Sequence, residues 1–389
     1  MKILFVLNNF YSTGNGLSAS ARRTVRYLKK AGHDVRILSG PNHKEGGPQP
    51  DYPLKRFVFP IFNPLVVQNG YEFAQSDIPL MEEAAKWADV IHIEEPFVIN
   101  NNMIKICHRL GKPVTGTYHL HPENITCNLG PLGKWSGLNR VILRSWRRLT
   151  YNHLSYVQCP TENVLDRLRR YHFTAKLVQI SNGIVPDECI RPVTPPANYE
   201  DPNRPIKVIY VGRLANEKDQ FTLMEAMRHS KYAKRIQLQF AGKGPMAKKM
   251  KRVAHKLYED GIVGYDPEFY FLDRDGLRNL AAQADMCIHC AFIEVEGLSI
   301  MEAIQQAAMP IIAEGRYTGT SQFALSRKNI FPVKNPEALA NRIDYWIERP
   351  KERWESGFKH MENMKQYNID KSVEALVQMF EKAIKDNEQ

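Results

Sequence analysis

The chain has 389 residues, more than one hydrophobic core usually organises, so two domains of roughly 150–200 residues are expected. Apolar residues make up 43% and charged residues 24%, which excludes a disordered or fibrous chain. Lys and Arg outnumber Asp and Glu by 53 to 42, a net +11, and the excess sits mostly in residues 1–200, with 24 basic against 16 acidic side chains there and 29 against 26 after.

Residues 3–7 read as a first buried strand; the apolar run is too short for a signal peptide. Residues 18–31 have helical periodicity closed by Gly32, and 35–38 read as a second strand. Further strands are expected at 90–93, 114–117, 156–159 and 177–180, before a proline cluster from Arg191 to Pro205 that reads as a linker. The same pattern then restarts, with strands at 207–211, 237–241, 269–272, 286–289 and 310–313, and helices at 248–258 and 298–308. An amphipathic helix is expected at 372–384. Alternating strands and helices predict α/β architecture, two doubly wound Rossmann-like domains facing a central cleft. The domains are placed at 1–198 and 206–365, with 366–389 packing back on the first. Six cysteines and no membrane-length apolar run suit a soluble chain in a reducing compartment.

Two segments carry the chemistry. Glu294-Val295-Glu296-Gly297-Leu298-Ser299 follows a strand and opens a helix containing Glu302. Carboxylates there accept hydrogen bonds from vicinal hydroxyls, Gly297 permits close backbone approach, and free N–H groups suit phosphate or sugar oxygens. Val211-Gly212-Arg213-Leu214-Ala215-Asn216-Glu217-Lys218 ends the first strand of the second domain, and its two cations suit a diphosphate. Each segment has a plainer alternative, an acidic helix start or two solvated cations.

Together they resemble the family 4 glycosyltransferases of GT-B fold, with Ile180-Ser181-Asn182-Gly183 and Ala241-Gly242-Lys243-Gly244-Pro245 adding to the likeness. The resemblance implies that Arg213 and Lys218 bind the nucleotide diphosphate, Glu302 the ribose, and Glu294 the transferred sugar. Backbone groups of Gly297, Leu298 and Ser299 would support sugar and phosphate, Phe271 and Leu272 would meet the base, and Gly16 would approach the diphosphate. His119, after the strand at 114–117, matches a histidine of the reaction centre, with His121 and Glu123 as acceptor-side candidates. The stretch 119–124, Gln322–Leu325 and residues 341–346 resemble the bacterial lipid α-glycosyltransferases, whose acceptors are sterols, diacylglycerol or ceramide. The implied reaction is retaining transfer of glucose or galactose from a UDP-sugar, with no cofactor or metal.

Between Asn124 and Thr161 lie five basic residues and no acidic ones. Arg140, Arg144, Arg147 and Arg148 with Trp135 and Trp146 fit a basic amphipathic helix on an anionic membrane, which places the protein peripherally on the inner face of the cell membrane. A helix packed on its own domain fits the same pattern. Cys287 and Cys290 form a lone CxxC inside an expected strand, and Asp273-Arg274-Asp275 suits helix capping, so neither is taken for a metal site. The rival readings are a family member building soluble or capsular oligosaccharide and a basic nucleic-acid-binding protein, the latter without any recognition module.

Overall fold

A computed structural model describes residues 1–12, 16–58, 71–127 and 136–389. The chain divides into two compact units, Met1–Gly183 with Ile369–Gln389, and Ile184–Asn368.

In the first unit, β1 (Lys2–Val6), β2 (Asp34–Ser39) and β3 (Tyr52–Pro53) form one half of a parallel sheet. A short antiparallel ribbon of β4 (Arg56–Phe57) and β5 (Phe73–Ala74) stands apart from it. The other half is β6 (Val90–Ile93), β7 (Val114–Thr117), β8 (Tyr156–Cys159) and β9 (Lys176–Gln179), in the order β3-β2-β1-β6-β7-β8-β9. Ile3 to Val6 are fully buried because helices cover both faces, which is why the strand reads as a continuous apolar run. Asp77 and Thr161 start their helices by accepting from the backbone N–H of Leu80 and Val164. The helix Ile369–Glu388 buries Val373, Leu376, Met379 and Phe380 and contacts the helix Gly16–Lys30 and strands β6 to β8.

The second unit contains β10 (Ile206–Val211), β11 (Ile236–Ala241), β12 (Glu268–Tyr270), β13 (Met286–His289), β14 (Met309–Glu314) and β15 (Ile330–Pro332), ordered β12-β11-β10-β13-β14-β15. All its pairings are parallel. Val208 and Tyr210 bury one face of β10 and Ile209 the other, so each face builds its own core. In both sheets the strand order reverses at one place, between β1 and β6 and between β10 and β13. Ligand sites of doubly wound folds lie beyond the strand ends at such reversals.

Two expectations are revised. The proline-rich stretch is not a free linker: Arg191 donates to the Ala307 carbonyl at 2.6 Å, Trp354 Nε1 to the Val193 carbonyl at 2.7 Å, and Arg353 to the buried Tyr199 hydroxyl at 2.9 Å. These bonds tie it to the second unit, and the division falls at 183/184. The helix expected at 298–308 ends at Ile304. Ala307 takes a left-handed φ of 56° and turns the chain into β14.

Candidate active site

At the β10 end, the backbone itself is closely packed. Gly212 N–H donates to the Ala241 carbonyl at 2.9 Å and Leu214 N–H to the Lys243 carbonyl at 3.0 Å, which locks the loops after β10 and β11 together. Gly242 sits at φ 152°, and a Cβ there would stand 2.0 Å from the Gly212 oxygen. Only glycine permits that approach.

The next residues turn through a short 3-10 segment, Asn216–Lys218. Gln220 donates to the Arg213 carbonyl at 2.8 Å and the Tyr210 hydroxyl to the Lys218 carbonyl at 3.1 Å, which fixes where both cations leave the backbone. Arg213 pairs with Glu217, whose side chain is buried while Arg213 stays one-third exposed. Lys218 reaches across the reversal and pairs with Glu294.

Glu294 is held in the loop after β13 by a bridge to Thr318: its N–H donates to the Tyr317 carbonyl and its carbonyl accepts from Gly319, each at 2.8 Å. Its carboxylate also lies 3.4 Å from Nε2 of the buried His289, which stacks on Tyr210 with centroids 6.1 Å apart. Burial pushes the Glu294 carboxyl up, but the Lys218 ammonium and the His289 ring outweigh it and hold it at about 2. The group is therefore a fixed carboxylate at any working pH. Burial depresses His289, so its ring is neutral.

Gly297 caps the helix Leu298–Ile304 in the left-handed region, φ 81°, where a Cβ would meet Thr320 Cγ2 at 2.4 Å. Ser299 Oγ lies 3.4 Å from the position a Gly212 Cβ would occupy, so Gly212 and Ser299 meet across the reversal. Glu302 is exposed on the same helix, and Leu298 is half-buried. Phe271 is 71% exposed just past β12, beneath the Lys243 ammonium at 4.7 Å, with Leu272 half-buried beside it. Asp273 caps the following helix by accepting from Gly276 N–H at 2.8 Å. Cys287 and Cys290 are fully buried, with thiols pushed well up by burial, and no metal-binding cluster occurs among the described residues.

In the first unit, His119 lies beyond β7 and pairs with the buried Glu94 beyond β6. Gly16 opens its helix exposed, and a Cβ there would meet no protein atom within 4 Å. Residues 13–15 are outside the described residues.

Three expectations on this unit change. His121 and Glu123 are turned into the protein: Arg167 pairs with Glu123 at 2.9 Å and approaches His121 Nδ1 at 2.9 Å, with the Tyr118 hydroxyl 3.2 Å from the same nitrogen. A buried charge needs such partners, so these two residues fasten the helix Glu162–Arg170 instead of facing an acceptor. Trp146 is 8% exposed and packs edge-on to Phe97, so its ring belongs to the core and does not reach a membrane. Arg147 is half-buried and donates to the Tyr171 carbonyl at 2.6 Å, leaving Arg140, Arg144 and Arg148 exposed on the helix Ser136–Leu149. Trp135 is outside the described residues.

Residue-type reading missed Glu217, His289 and Glu94. Glu217 stands four positions from Arg213 and was open to pairing arguments; His289 and Glu94 become partners only through strand order.

Residues 14–188 match the family described as Glycosyltransferase Family 4, and residues 196–371 match Glycosyl transferases group 1. A GDP-mannose-dependent α-mannosyltransferase of Corynebacterium glutamicum is 23% identical over 80% of this chain and 72% of its own length. Sucrose-phosphate synthase of Thermosynechococcus elongatus has the same fold, with TM-score 0.71 and 17% identity over 98% of each chain. The catalytic domain of cholesterol-α-glucosyltransferase from Helicobacter pylori is 34% identical over 42% of this chain and 99% of that chain, with TM-score 0.39. Cations and carboxylates gathered at the strand-order reversal, on two GT-B-type units each matched by its own family, lead to one conclusion: the chain belongs to the family 4 glycosyltransferases.

Proposed function

We propose that the chain is a retaining glycosyltransferase that moves glucose or galactose from a UDP-sugar to the hydroxyl of a membrane lipid, a sterol, diacylglycerol or ceramide, to form an α-glycolipid. The observation that carries this reading is the pairing of Lys218 with Glu294 beside Arg213 with Glu217 at the β10/β13 reversal. An arriving diphosphate competes for the two cations, and the released Glu294 carboxylate accepts hydrogen bonds from the sugar. Charge grows on the leaving diphosphate only as the glycosidic bond breaks, so fixed cations favour the transition state over the bound donor. The same carboxylate balances positive character at the anomeric carbon. Exposed Glu302 takes the ribose hydroxyls. The acceptor attacks from the leaving-group face, as the family resemblance implies, and the departing phosphate takes its proton; no cofactor or metal enters this scheme.

The lipid acceptor and peripheral membrane contact draw support from the helix Ser136–Leu149, where Arg140, Arg144 and Arg148 are exposed beside exposed Val141 and Leu149. Cationic heads next to apolar side chains suit an anionic leaflet. A GDP-mannose donor is the second reading, favoured by the named activity of the Corynebacterium glutamicum relative.

The test is a radiolabel assay with UDP-glucose, UDP-galactose and GDP-mannose against liposomes carrying each lipid class and against soluble oligosaccharide. Label from a UDP-hexose entering the lipid phase with an α linkage is expected. Transfer from GDP-mannose alone overturns the donor assignment, and label confined to the aqueous phase overturns the acceptor.

A further inference from the structure

The first unit carries a polar chain at its own strand-order reversal. Glu94 is 3% exposed; its Oε2 is bonded to His119 Nε2, and its Oε1 lies 3.7 Å from His92 Nε2. His92 is already engaged, with Nδ1 2.9 Å from Thr115 Oγ1 and Nε2 2.8 Å from Thr117 Oγ1. The Gln158 amide is oriented by donating to the Ile180 carbonyl at 3.0 Å, so its oxygen accepts the Thr117 hydroxyl proton at 2.7 Å. Thr117 then has only lone pairs to offer His92, whose Nε2 must carry the proton. Burial depresses His92 to about 4, so this ring is neutral and leaves Glu94 to His119. Burial raises the Glu94 carboxyl, yet the His119 ring outweighs it and holds it below its ordinary value. The neighbouring Glu95 is bound separately, by Asn8 N–H at 2.8 Å and Asn8 Nδ2 at 2.5 Å.

An ionised carboxylate only accepts, so His119 Nε2 must donate to it. The other ring nitrogen, Nδ1, makes no hydrogen bond among the described residues. We propose that Glu94 is a positioning residue that holds His119 by Nε2 and so leaves Nδ1 as the nitrogen that accepts from a substrate hydroxyl whenever the ring carries a single proton. A buried carboxylate that orients a histidine in this way sets its tautomer and aim without touching substrate. The inference rests on the proposed glycosyl transfer and on the reaction-centre role that the family resemblance implies for His119.

The test has two arms. Nitrogen-15 NMR on wild-type protein with labelled histidine, without substrate and with pH raised until the His119 ring carries a single proton, reads the tautomer directly; a protonated Nε2 and bare Nδ1 are expected, and that single proton on Nδ1 overturns the proposal. Kinetically, Glu94→Gln lowers kcat roughly 10- to 100-fold, the loss expected for one charge-assisted hydrogen bond, with KM for the sugar nucleotide changed less than about threefold. The double variant with His119→Ala is no slower than His119→Ala alone; a further loss overturns the proposal, because Glu94 would then act independently of the ring. Should Glu94→Gln fail to fold, the wild-type spectrum decides. Failure of every sugar nucleotide as donor would overturn the proposed function while leaving the tautomer measurement to judge Glu94.

Discussion

Lys218→Met is the sharpest probe of the second unit. Its side chain is 17% exposed and its partner Glu294 is 14% exposed, so the variant leaves a nearly dry carboxylate whose remaining ion-pair neighbour among the described residues is the neutral His289. The Glu294 carboxyl is displaced from 4.5 to about 2, which corresponds to about 3 kcal/mol of folded-state preference for its ionised form. A depressed carboxyl contributes stability that is complete above pH 4.5 and disappears as pH falls through about 2. At pH 7, Lys218→Met is therefore expected to cost about 1–3 kcal/mol, the upper figure applying if Lys218 supplies nearly all of the displacement. Urea unfolding followed by circular dichroism checks this, with the second unit's transition fitted separately because two units need not unfold together. Between pH 4.5 and 2 the wild type loses stability more steeply than the variant, and adding Glu294→Gln to the variant restores part of the loss at pH 7. Equal unfolding midpoints at pH 7, with equal acid slopes, would refute the argument that the pair is a desolvated electrostatic contact.

Gly242→Ala drives a Cβ to 2.0 Å from the Gly212 oxygen, and its second unit is expected to lose at least about 3 kcal/mol in the same urea assay. Arg167→Met strands the Glu123 carboxylate in the core and is expected to cost about 3–5 kcal/mol by thermal melting at pH 7. Trp146→Ala empties a core position at about 3–5 kcal/mol, seen as a lower melting temperature. Replacing Arg140, Arg144 and Arg148 by Gln leaves stability within about 0.5 kcal/mol but weakens flotation with anionic liposomes.

Strands β6, β7, β8 and β13 coincide residue for residue with the sequence reading, because each is a four-residue run buried throughout and preceded by a polar residue or proline, Asp89, Pro113, Ser155 and Asp285. β3 and β15 were not read, since two or three residues carry no period. The donor-side cations and Glu294 were legible because loop position and charge point the same way. Glu94 was not: Glu94-Glu95 looks like any solvated acidic pair until β6 and β7 pair and bring it beneath His119. Trp146 was misread because alternating arginines and aromatics give one pattern whether the apolar stripe meets a leaflet or the parent sheet. His121 and Glu123 were misassigned for want of Arg167, forty-odd residues away in sequence.

The helix Ile369–Glu388 has a consequence for how this chain is made. It seals the first unit by burying Phe380 against His92, yet it is separated from the rest of that unit by the whole of the second. At ribosomal rates of about 5–20 residues per second, the amino-terminal sheet waits roughly 10–40 s for its cover. During that interval it offers bare apolar surface to chaperones, while the domain translated later can already be complete.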